Sequence, residues 1–142
     1  MLGYLEERFG IPQRIFDEYL FFRRKNSWQL IKRANYFREA STLKVSKVGL
    51  RAFQRVGAFV KPTTRMIQMF GHRATKAVME IDEKQLAVLL SGERLTADLS
   101  MDKGYVILKL KNNRILGLGF FISGVVTSQI SRKELKKEML FY

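Results

Sequence analysis

The hydrophobic positions change period several times along the chain. In residues 1–9, Leu2, Leu5 and Phe9 recur at helical spacing and Gly10 follows, which predicts a short helix that buries one face. Pro12 opens a second short helical stretch carrying Ile15, Phe16 and Tyr19. The period then shortens toward two. YLFFRR (19–24) and WQLIKR (28–33) flank Lys25-Asn26-Ser27, predicting a β-hairpin in which Leu20 and Phe22 alternate with Phe21 and Arg23. Residues 34–48 are weakly patterned and read as irregular. GLRAFQRVGAFV (49–60) reads as one long strand or two short ones broken at Gly57.

Lys61-Pro62-Thr63-Thr64 marks a strand end and a helix start, with a threonine hydroxyl capping the first turn. That helix is predicted to run to Phe70, to bury Met66, Ile67 and Phe70, and to end on Gly71 as a left-handed C-cap. Residues 77–81 read as a strand. Asp82 then caps a helix, with Gln85 in the capping-box position and Ile81 stapled against Leu86. Leu86, Leu89 and Leu90 face inward, and Gly92 ends the helix. In 105–111, Val106, Leu108 and Leu110 alternate with Ile107, Lys109 and Lys111. Asn112-Asn113 makes a two-residue turn, 114–122 is a glycine-punctuated strand, and 124–130 returns. Ser131 and Glu134 form a capping box for a terminal helix docked by Leu135, Met139 and Leu140. The second half therefore reads β-α-β-β-β. A small antiparallel, barrel-like sheet with helices at its edges buries it economically.

Composition narrows the chemistry. A chain of 142 residues that is 46% hydrophobic suits one domain, or two small ones sharing a core, and excludes a disordered basic tail. With no cysteine and a single histidine, His72, there is no thiol nucleophile, disulfide framework, Cys/His zinc site or HExxH pair. No glycine-rich loop of the dinucleotide or P-loop type appears. The neighbouring carboxylates Glu6/Glu7 and Glu80/Asp82/Glu83 lie at helix starts, where acids favour the helix dipole. His72 follows a helix end and suits a structural or RNA-contacting role. No catalytic residue, metal ligand or cofactor is therefore expected. The longest apolar run, 115–126, contains Gly117, Gly119 and Gly124 and falls short of the roughly 20 residues of a membrane span. Glu6 and Glu7 stand where a signal peptide would be apolar. A soluble, cytoplasmic protein without a membrane partner is expected.

The distribution of charge changes the picture most. Residues 19–79 hold fourteen Lys and Arg against one acid, Glu39, and so account for the whole net charge of +13. An ordinary solvated face mixes signs, because one-sided charge repels itself. A polyanionic partner is the direct implication, and nucleic acid fits better than an anionic membrane or an acidic protein. Arg23, Arg24, Lys25, Lys32 and Arg33 of the hairpin are expected to contact phosphates, with Lys61, Arg65, Arg73 and Lys76 extending the track. Trp28 and Tyr36, set among polar neighbours, are the best candidates for base stacking.

Several segments taken together resemble a known family. Ala77-Val-Met-Glu-Ile-Asp82, a helix ending Leu89-Leu90-Ser91-Gly92-Glu93, Lys103-Gly104-Tyr105-Val106-Ile107 and Ile115-Leu116-Gly117-Leu118-Gly119 resemble a PUA domain, the fold carried by pseudouridine synthases and archaeosine transglycosylases. Upstream, YLEERFGIP (4–12), Lys61-Pro-Thr-Thr64 and Phe70-Gly71 resemble the pre-PUA plus PUA region appended to Sun-type RNA cytosine-5 methyltransferases of archaea. Tyr105 stands where many PUA domains carry an acid. The resemblance covers nearly the whole chain apart from 34–48, without the catalytic part of a methyltransferase. It implies an α+β fold: a PUA-like β pseudobarrel with peripheral helices over 73–142, preceded by a small basic α/β pre-PUA region over 1–72. It also implies that RNA meets Gly92, Glu93 and Arg94 of the glycine loop and the segment 128–133, with Arg132 and Lys133. The expected function is non-catalytic recognition of structured RNA, tRNA or rRNA. Two alternatives stand beside it: an accessory subunit delivering RNA to a separate RNA-modification enzyme, and an assembly factor acting on ribosome precursors.

Overall fold

Helix α1 (Leu2–Phe9) buries Leu5 and Phe9 and stops at Gly10, whose φ of 69° and N–H bond to the Glu6 carbonyl make the left-handed cap. The structure, a computed structural model, describes residues 1–34 and 49–139. Tyr36, the surrounding stretch that the sequence pattern reads as irregular and the docking of Met139 and Leu140 lie outside the described residues and side chains. The second helical stretch is a single 3-10 turn, Gln13–Phe16. Tyr19 does not belong to it, because its backbone is claimed by strand pairing with Lys32.

Four strands follow in antiparallel order: β1 (Tyr19–Arg24), β2 (Ser27–Lys32), β3 (Leu50–Val56) and β4 (Phe59–Pro62). The predicted three-residue loop tightens to two residues, since Arg24 pairs with Ser27 and Lys25 takes a φ of 53°. Helix α2 (Thr64–Phe70) then starts on Thr63, whose Oγ1 accepts the Met66 N–H at 3.1 Å. Met66, Ile67 and Phe70 are buried as the spacing predicts. Gly71 is not a left-handed cap: its φ is −62°, and the chain runs on into a 3-10 turn, Gly71–Arg73. A glycine serves there for space instead, because a Cβ would meet Ile115 Cγ2 at 3.1 Å.

The second sheet contains β5 (Val78–Ile81), β6 (Leu95–Thr96), β7 (Gly104–Leu110), β8 (Ile115–Ile122) and β9 (Val125–Ser128), in the order β5-β7-β8-β9-β6. It is not wholly antiparallel. Helix α3 (Glu83–Leu90) carries the chain back across the sheet, so β5 and β7 run parallel. The capping box forms in full: Asp82 accepts the Gln85 N–H at 2.8 Å, and the Gln85 side chain accepts the Asp82 N–H at 2.9 Å. Strand β6 has two residues, too few for an alternating pattern, and exists through pairing with Val125 and Val126. Helix α4 (Arg132–Met139) follows, and Ser131 Oγ accepts the Glu134 N–H.

Alternation along β7 divides two cores. Ile107 points into the first, among Leu5, Phe9, Phe53, Met66 and Ile67, while Val106, Leu108 and Leu110 point into the second with Leu86, Leu116 and Leu135. The first core thus draws residues from both halves of the chain. Arg8 clamps α1 to the start of β7, its Nε donating to the Tyr105 carbonyl at 2.7 Å and its Nη2 to the Asp102 carbonyl at 3.1 Å. The architecture is mixed α+β with two sheets, one of them curled into a half-barrel. Among the described residues, no helix is long and apolar enough to cross a membrane.

Candidate nucleic-acid interface

A register shift in the first sheet builds the site. Trp28 pairs with Phe53, but the next residue, Gln29, pairs with Arg51, so Ala52 is an extra residue on β3. Ala52 and Phe53 are consequently buried side by side. Arg51 and Gln54, three residues apart, then line one cleft, which a regular strand would forbid. Thr63 ties this bulge to α2: its hydroxyl donates to the Arg51 carbonyl at 2.6 Å, and its N–H donates to the Ala52 carbonyl at 2.9 Å.

The cleft beside the bulge encloses about 570 Å³ and is lined by Gln29, Arg51, Gln54, Thr63, Thr64, Arg65 and Gln68, with Glu134 at one side. A second cleft of about 460 Å³ shares Gln29, Arg51 and Gln54 with it and extends to Arg24, Lys25, Asn26 and Ser27 at the hairpin tip. A third, of about 210 Å³, shares Gln54, Thr63 and Thr64 and reaches Lys61 and Gln129. The shared walls make one groove from the β1–β2 turn to Lys61. Its lining offers guanidinium and ammonium groups beside amides and hydroxyls, a set that donates to phosphates and both donates to and accepts from base edges. Its one lining carboxylate, Glu134, lies 3.7 Å from Lys137. No described carboxylate pairs with Arg24, Lys25, Arg51, Lys61 or Arg65.

Of the residues predicted from sequence, Arg24, Lys25, Lys61 and Arg65 come together along this groove. Arg23 departs to the other face of β1, where its guanidinium lies over the Trp28 ring at 5.6 Å, with Arg55 over the same ring at 5.7 Å. Two cations therefore already cover the predicted stacking residue. Lys32 and Arg33 lie at the far end of the hairpin, and Arg33 Nε is bound to the Asp17 carbonyl at 3.0 Å. Arg73 and Lys76 are exposed near the 3-10 turn after α2, outside the groove lining. The continuous track expected from the sequence is thus shorter in space than in the chain.

A separate cleft of about 370 Å³ lies between the end of α3 and the end of β9, lined by Gly92, Glu93, Thr127, Ser128, Arg132 and Leu135 among others. Gly92 has a φ of 85°, and a Cβ added there would meet nothing within 4 Å, but its N–H donates to the Leu89 carbonyl at 3.0 Å and that of Glu93 to the Val88 carbonyl at 3.2 Å. Arg132 Nε donates to the Leu90 carbonyl at 3.1 Å, which seats this cation at the helix end. Arg94 and Lys133 are exposed and do not line the cleft.

The sequence pattern did not single out Arg51 or the four groove glutamines, Gln29, Gln54, Gln68 and Gln129. Amides add nothing to a charge count, and the bulge that turns Arg51 toward Gln54 leaves no composition signal. Burial lowers the pKa of Lys61 and raises that of Tyr105. His72, exposed on the 3-10 turn, lies outside these clefts. Among the described residues, no group of three or more His, Asp or Glu is arranged to hold a metal ion. No protein-family model matches the chain, and no curated protein matches it.

Proposed function

We propose that this protein is a non-catalytic RNA-binding module of the PUA-like pseudobarrel type with a pre-PUA region, acting in the cytoplasm on structured RNA such as tRNA or rRNA. The observation that carries the reading is the groove in which Arg24, Lys25, Arg51, Lys61 and Arg65 converge with four glutamines and a single carboxylate. Phosphates on the cations would set register and orientation, while the amides meet base edges. The cleft at Gly92 and Arg132 supplies a second point of contact through the Arg132 guanidinium and the Thr127 hydroxyl.

Binding of the full chain to structured RNA across a salt series tests this. If the five groove cations each neutralise one phosphate, affinity for a single strand falls about a hundredfold between about 50 and 200 mM salt. Joint charge reversal, Arg51→Glu with Arg65→Glu, should weaken binding by more than about tenfold and flatten the salt slope. The same reversal at Lys32 and Arg73, outside the groove, should do much less. Salt-independent affinity, or equal losses from the two pairs, rejects the groove.

A further inference from the structure

Lys61, at the end of the groove, also borders a cluster of aromatic rings. Phe59, on β4, is 42% exposed, and its strand partner Val56 is 56% exposed, although both are large apolar side chains. Phe59 and Lys61 are two residues apart on β4 and share one side of the strand. The Phe59 ring stacks on Tyr105, with centroids 5.8 Å apart and an interplanar angle of 25°. Tyr4 meets Phe59 edge-on at 5.7 Å, and Phe120 meets Tyr105 edge-on at 5.2 Å. Lys61 Nζ lies 5.3 Å from the Tyr105 ring centroid. Two rings, Tyr4 and Tyr105, thus hold Phe59 while much of its own surface stays open. Trp28 is arranged the opposite way, with two guanidinium groups over its ring.

We infer that Phe59, backed by Tyr105, is a stacking platform for an unpaired nucleobase leaving the groove, with Lys61 holding the adjacent phosphate. This deepens the RNA reading above and rests on it. The occupant follows from continuity and charge. Lys61 belongs both to the cation-lined groove and to the aromatic cluster, so a chain whose phosphates follow the groove brings its next base to Phe59. The Lys61 ammonium beside the rings suits a polyanion better than an apolar peptide. A ring already fixed by Tyr4 and Tyr105 loses little freedom when a base lands on it. Since every base has a π-face, the platform selects for unpaired nucleotides over paired ones and is indifferent to base identity.

The test compares a blunt RNA duplex with the same duplex carrying a short single-stranded tail, and with a tail of equal phosphate count made of abasic residues. The wild-type full chain should bind the base-bearing tail about tenfold more tightly than the abasic tail. Phe59→Leu, which keeps the apolar volume but removes the ring, should erase that difference and leave blunt-duplex affinity unchanged. Phe59→Trp should retain it. Equal affinity of wild type for abasic and base-bearing tails overturns the platform while leaving the groove reading intact, and this comparison does not depend on how any variant folds. A difference that persists in Phe59→Leu also overturns it. If wild type binds none of the three RNAs, the RNA reading itself falls, and the platform with it.

Discussion

Single residues in this protein do work that their type alone does not announce. Gly117 has a φ of 152°, and a Cβ there would sit 2.8 Å from Ile130 Cγ1 and 3.1 Å from Thr64 Cγ2. Its missing side chain lets α2 approach β8, which brings Arg65 and Gln68 to the groove. Gly117→Ala should destabilise the fold by about 2 kcal/mol in urea unfolding, through strain at the positive φ and the clash together. Tyr4 illustrates a linkage effect. Burial, opposed by the nearby Arg8 charge and reinforced by Tyr105, pushes its pKa up from 10.0 to about 12. In the unfolded chain the phenol ionises at its ordinary value, so above pH 10.0 the unfolded state releases a proton that the folded state keeps. Stability should therefore fall as pH rises from 10.0 toward about 12, and Tyr4→Phe should lessen that fall in thermal unfolding followed across the window. Lys61 acts with the opposite sign. Its lowered pKa means the folded state releases its proton first, so this residue favours folding as pH rises through that region, yet its charge leaves the groove before that of an ordinary lysine.

At the scale of elements, the bulge of β3 and the start of α2 form one device. Thr63 caps the helix through Met66 and grips the Arg51 carbonyl, so one hydroxyl stabilises an element and places a groove cation. Thr63→Ala should cost about 1 kcal/mol of stability, measured by denaturant unfolding, and should also weaken RNA binding at temperatures where the chain stays folded. Thr63→Ser, which keeps the hydroxyl, should restore both. The capping box of α3 is the comparison case. Asp82→Ala removes a carboxylate bonded to Gln85 far from the groove, so it should cost a similar amount of stability and leave groove affinity unchanged. Both caps were readable in the sequence, because capping depends on residue types a fixed distance apart. The bulge was not. GLRAFQRV alternates imperfectly, and only pairing with Trp28 and Gln29 decides that Ala52 is the extra residue.

Across the whole molecule, β7 and β8 form a wall shared by two cores, and Arg8 fastens the N-terminal helix to it. Replacing Arg8 with Met leaves the Tyr105 and Asp102 carbonyls without this donor and should lower stability by about 2 kcal/mol, while the salt slope of RNA binding stays as in wild type, since Arg8 does not line the groove. Periodicity and capping by themselves determined the order of α1, the hairpin, α2, α3 and β7 to β9. Each depends on residues within a few positions of one another. The one-sided charge was equally legible and pointed to a polyanion. Tertiary structure alone decided the parallel return of β7 to β5, the two-residue strand β6, and which cations meet. Arg24 and Arg65 are distant in sequence yet line connected clefts, whereas Arg23, next to Arg24, faces away with Trp28. The reason is geometric: a strand sends neighbouring side chains to opposite faces, and strand pairing rather than sequence proximity chooses which faces are assembled into a surface.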